Sequence, residues 1–109
     1  MNLGLLYHWA PADRRAAILA DGLVPGKPNT VATTRLGYLC LGFSARGAWA
    51  LSGGTVEHVD LWDLWQVQLA DSDWVRVREE CGPTMCEVMV STPIPTGRLW
   101  LVGTRTTGQ

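Results

Sequence analysis

The chain has 109 residues, of which 47% are hydrophobic and 17% charged, and a formal net charge of −1. That length suits one domain over residues 1–109 and is too short for two. The composition is that of a folded chain, and the near-zero charge excludes nucleic-acid binding driven mainly by attraction to phosphates.

Three cysteines, Cys40, Cys81 and Cys86, are an odd count. Met1–Leu6 has neither a basic leader nor a long apolar run. Together these point to a reduced, cytoplasmic protein. No stretch approaches the roughly 20 apolar residues of a membrane span, so no membrane partner is expected. Cys81, Cys86 and His58 match no zinc spacing well and a fourth ligand is not evident, so no metal is expected. The six tryptophans read mainly as core filling.

In chain order, Leu3–Trp9 alternates as a strand, with Leu5, Tyr7 and Trp9 on one face and Leu6 and His8 on the other. Both faces are mostly apolar, so the strand should be covered on both sides. A buried histidine needs a partner for each ring nitrogen, which makes His8 a residue to explain. Pro11, Asp13, the run Ala16–Leu19 and Gly22 predict a helix from about 11 to 21. Val24–Leu36 carries Pro25, Gly26, Pro28 and Asn29 and reads as a loop long enough to act as a flap.

Tyr38–Ser44 is a second strand, and Ser44 caps a short helix over 45–51. Thr55–Leu64, with Glu57, His58, Asp60 and Asp63, reads as a polar loop or short turn. Strands follow at 65–69, 74–78, 84–91 and 99–102, separated by turns, and 104–109 reads as a frayed tail.

Within 84–91, Glu87 shares a face with Met85 and Met89. A carboxylate between apolar neighbours has two readings. Either the face is solvated at a sheet edge, or Glu87 lines a cleft where a desolvated carboxylate stabilises positive charge or holds a hydroxyl.

The ordered set Tyr7-His8, Ile18-Leu19-Ala20-Asp21-Gly22-Leu23-Val24-Pro25, Tyr38-Leu39-Cys40-Leu41-Gly42-Phe43-Ser44, Ala48-Trp49-Ala50, Glu87-Val88-Met89-Val90, Ile94-Pro95 and Leu99-Trp100-Leu101-Val102 resembles the ADP-ribosyltransferase superfamily. The likeness is to small single-domain bacterial and phage members and to the rifamycin-modifying and RNA 2′-phosphotransferase branches. It runs from Leu5 to Gly103, and it lies in the order of short motifs. It implies an α+β fold of two small packed β-sheets with short flanking helices. It also implies an enzyme that uses NAD as substrate, transferring ADP-ribose or cleaving NAD with release of nicotinamide.

By the same resemblance, His8 contacts the adenosine ribose and Tyr7 precedes it. An aromatic among Tyr38, Phe43 and Trp49 stacks on nicotinamide, Ser44 braces the site, and Glu87 is the catalytic acid. Position 85 is Met85, where arginine-modifying members carry a second acid, so modification of protein arginine is not expected. Arg35 and Arg46 are the candidates for the phosphate contacts of the 2′-phosphotransferase branch, without its further histidine. The acceptor, whether small molecule, nucleic acid or protein, is not given by the sequence. Two other readings stay open: a binding module for NAD, ADP-ribose or a protein without catalysis, and a plain α+β domain whose histidine is structural.

Overall fold

A computed structural model of the chain describes residues 4–25, 38–52, 60–78 and 87–106. The described strands are β1 (Leu5–Pro11), β2 (Leu39–Gly42), β3 (Leu61–Gln68), β4 (Val75–Arg78), β5 (Glu87–Val90) and β6 (Leu99–Thr106). The helices are α1 (Arg15–Asp21) and α2 (Ala45–Ser52). All six strands form one antiparallel sheet in the order β4-β5-β2-β1-β3-β6. The domain is α+β, as expected, but it has one sheet where two packed sheets were expected.

The reason lies at the middle of the sheet. β1 pairs with β3 at seven successive positions, from Leu5↔Gln68 to Pro11↔Trp62, and β2 with β5 at four. Between β1 and β2 the register holds at one position, Tyr7↔Gly42. Two well-paired halves, β1-β3-β6 and β2-β5-β4, are thus tied across a short seam.

Each face of the sheet carries its own core. Leu6, Ala10, Leu39, Leu41, Trp65, Val67, Val88 and Val90 pack on one face with Ile18 of α1, Leu23, Ile94 and Leu99. On the other face Trp9, Trp62 and Leu64 pack with Ala48 of α2, flanked by Tyr7, Ala45 and Trp49. These sets follow from the two-residue alternation of the strands. A bulge between Leu64 and Trp65 in the β3–β6 pairing switches the phase of β6. Leu99 therefore joins the α1-side core, while Arg105 lies 3.8 Å over the Trp49 ring on the α2 side.

Local chemistry explains the helix ends. Gly22 stops α1 with φ +77, its N–H donating to Ile18 O at 2.8 Å, and a Cβ there would meet Ile94 O at 2.1 Å. Leu23 then bridges to Ile94 and is fully buried. Ser44 Oγ accepts the Gly47 N–H at 2.9 Å, the expected cap of α2. Trp9 Nε1–H donates to Ala45 O at 2.8 Å and pins the start of that helix to β1. In the turn before β4, Asp73 accepts from Arg98 Nη1 at 2.6 Å, the Ala70 N–H at 2.8 Å and Thr92 Oγ1 at 2.8 Å, tying that turn to the approach to β6.

Several element limits differ from the sequence expectation. Pro11 ends β1, and a 3-10 turn at Ala12–Arg14 precedes α1, so the α-helix begins four residues later than expected. Residues 61–64 belong to a buried strand, not a polar loop, because Trp62, Asp63 and Leu64 pair across β1. Residues 104–106 pair with β3 and are not tail. The expected flap beyond residue 25, the strand start at 84–86, and Cys81, Cys86 and His58 lie outside the described residues.

Candidate functional site

Tyr7 and His8 lie on β1 and Glu87 on β5, with β2 between them; Tyr38 and Phe43 flank β2, and Ser44 and Trp49 belong to the cap and body of α2. His8 lies on β1 and Glu87 opens β5, two strand spacings away, about 10 Å. Both are buried, at 4% exposure each. The sheet-edge alternative for Glu87 does not hold, because β5 lies between β4 and β2.

The register places the two residues on opposite faces. Tyr7, Gly42 and Glu87 form one row across β1, β2 and β5. Directly opposed residues share a face, so this row points to the α2 side. His8 is one residue along from Tyr7 and points to the α1 side, beside Trp65, its partner on β3. Gly42, in the middle of the first row, lets α2 approach: a Cβ there would meet Ala48 N at 2.4 Å and Ala48 Cα at 2.7 Å.

His8 is held at the seam. Its Nδ1 lies 3.2 Å from Cys40 O. A carbonyl only accepts, so Nδ1 carries the proton and Nε2 presents a lone pair. Burial lowers the pKa of His8, and the hydrogen bond to Cys40 offsets this only in part, so the ring is neutral near pH 7. Nε2 is buried and has no hydrogen-bond partner among the described residues. A neutral ring with one fixed donor and one unsatisfied acceptor is suited to holding a polar group of a ligand.

The aromatic candidates separate. Trp49 packs edge-on against Trp9 and Trp62, with ring centroids 5.4 and 5.5 Å apart, under the Arg105 guanidinium. Tyr38 and Phe43 are exposed at the two ends of β2, and Phe43 adjoins the Gly42–Glu87 row. Tyr7 is half-buried in that row and its hydroxyl lies 3.4 Å from Gln66 Nε2. Ser44 is exposed and engaged as the α2 cap.

Two polar features escaped the sequence reading. Asp63, fully buried, accepts from Arg15 Nε at 2.8 Å and Nη2 at 2.6 Å, which raises the arginine's pKa by hydrogen bonding and charge. Trp65 is 1% exposed, and its indole Nε1 has no hydrogen-bond partner among the described residues. The available signal was the alternation of Trp62 through Val67, which continues a strand through residues that looked like a polar turn. A cavity of about 560 Å³ lined by Leu69, Asp73, Trp74, Val75 and Val77 flanks the turn before β4 and includes neither His8 nor Glu87.

No protein-family model and no curated protein matches this chain. Among the described residues no group of three or more His, Cys, Asp or Glu could hold a metal ion, and no helix is long and apolar enough to cross a membrane.

Proposed function

We propose that the β1–β2 seam, with His8 on one side and Glu87 on the other, binds NAD and supports ADP-ribosyl transfer or NAD cleavage. The observation that carries this reading is the burial of two ionisable residues, one on each of the strands that flank β2, where the sheet is tied at one position. Leaving the buried His8 Nε2 without a partner among the described residues costs a fold about 1–3 kcal/mol, and such costs concentrate where a ligand is handled. The resemblance to ADP-ribosyltransferases supports the assignment of roles.

In this reading the neutral His8 ring holds a ribose hydroxyl and Glu87 acts on the nicotinamide ribose. The glycosidic C–N bond breaks with its electron pair leaving on nicotinamide. Positive charge develops on the ribose carbon, and the Glu87 carboxylate stabilises it more in the transition state than before it. An acceptor nucleophile, or water in simple cleavage, then forms the new bond and loses its proton. Tyr38 and Phe43, being exposed, are better suited to stack on a ligand ring than Trp49, which packs against Trp9 and Trp62 under Arg105.

The opposite faces of His8 and Glu87 favour a plain α+β domain whose histidine is structural; the remaining alternative to the enzyme is a module that binds NAD or ADP-ribose without turnover. Titration calorimetry with NAD, followed by an assay for free nicotinamide, separates the two. Heat of binding with nicotinamide accumulating supports the enzyme, binding without release supports the module, and no binding removes both.

A further inference from the structure

His8 and Trp65 are directly opposed on β1 and β3 and their side chains share the α1-side face. At such positions the Cβ atoms lie about 4.5–5.5 Å apart. Both side chains are more than nine-tenths buried, and each ends in a polar atom without a hydrogen-bond partner among the described residues, His8 Nε2 and Trp65 Nε1. Their chemistry is complementary to one kind of group. With its proton on Nδ1, His8 offers an acceptor at Nε2, while the indole N–H of Trp65 is a donor only. A carbonyl, carboxylate or phosphate satisfies only the indole, and an ammonium only the imidazole. A hydroxyl satisfies both with a single oxygen.

The pair has polar neighbours on the same face. Asp63 sits two residues along β3 on the same face, and its partner Arg15 has 41% of its side chain exposed. We infer that a ribose hydroxyl of the substrate bridges His8 Nε2 and Trp65 Nε1, accepting from the indole and donating to the imidazole. Trp65 is thereby a second ligand-binding residue beside His8. This rests on the reading of the seam as an NAD site and adds to it a residue and a hydrogen-bond polarity.

The test is calorimetric titration of ADP-ribose and its 2′-deoxy and 3′-deoxy analogues into the wild type and Trp65→Phe, which keeps a buried ring and removes the N–H. The expected result is about a tenfold loss of ADP-ribose affinity in Trp65→Phe, the worth of one hydrogen bond. One deoxy analogue should bind the wild type about tenfold more weakly and lose nothing further in the variant. Equal weakening of every ligand, or no weakening, overturns the bridge and leaves the NAD site standing, the latter being the outcome if water rather than ribose joins the pair. Failure of ADP-ribose and NAD alike to bind the wild type overturns both. Should Trp65→Phe not fold, the wild-type indole N–H resonance of Trp65 serves instead: a saturable shift with ADP-ribose supports the bridge, and an unmoved resonance refutes it.

Discussion

Gly42 is the point at which α2 rests on the sheet, in the row that carries Tyr7 and Glu87, and Gly42→Ala probes that contact. The added Cβ would stand 2.4 Å from Ala48 N and 2.7 Å from Ala48 Cα, about 1 Å closer than ordinary van der Waals contact. Its neighbours are backbone atoms, which cannot rotate away, so the helix must lift. Overpacking of this kind costs about 1–3 kcal/mol, here near the upper end. Replacing glycine returns at most about 1 kcal/mol through the unfolded chain, leaving a net loss of about 2 kcal/mol. With a urea slope of about 2 kcal/mol per M, the unfolding midpoint falls by about 1 M; the melting temperature drops by about 10 °C. Gly97→Ala is the control, because a Cβ there has nothing within 4 Å, and it should stay within about 0.5 kcal/mol of the wild type. Indistinguishable midpoints for Gly42→Ala and Gly97→Ala would refute the close seating of α2.

Two further predictions concern pH. His8 has its pKa lowered by burial, so the unfolded chain takes up its proton first on acidification. Stability should fall as pH drops through about 6.5, by at most about 1.4 kcal/mol per pH unit from this group. Urea midpoints at pH 7.5 and 5.5 measure it, and His8→Gln should show a visibly smaller difference; an identical one would contradict a buried neutral ring. Asp73 is pushed up by burial, but hydrogen bonds from Arg98, the Ala70 N–H and Thr92, with the charge of Arg98, leave it below the usual carboxylate range. Its contribution is present above the unfolded carboxylate pKa and is lost as pH falls through the folded one. Asp73→Asn should therefore be less stable than the wild type at pH 7, with the gap closing in acid; a gap that persists at pH 2 would assign the loss to shape rather than charge.

The parts of this fold that were legible in the sequence are those where side-chain period and local chemistry agree. β1, β2 and α2 have apolar runs that alternate or repeat cleanly, and Gly22 and Ser44 end and begin helices by chemistry that needs no tertiary context. β3 was misread at its start because Asp60 and Asp63 looked solvated; only the fold supplies Arg15, forty-eight residues away in sequence, to neutralise Asp63. The extension of β6 to Thr106 escaped for a similar reason, since Arg105 is held by stacking on Trp49 and not by an apolar pattern. His8 and Glu87 were found by residue type and resemblance, and both proved buried. Their opposite faces depend on the single pair Tyr7↔Gly42, and no pattern within either strand encodes a register between strands. That the Trp65 indole finds no partner among the described residues was invisible for the same reason.

In the proposed function Glu87 stabilises the charge that develops as nicotinamide leaves, and the most direct measurement of that role is nicotinamide released from NAD by the wild type and by Glu87→Gln. The variant keeps the size of the side chain and removes the negative charge, and a cooperative unfolding transition checks that it is folded. Release by the wild type, lowered about 100-fold or more in Glu87→Gln while NAD affinity changes little, is the predicted result. Release at the wild-type rate by a folded Glu87→Gln variant would contradict the account.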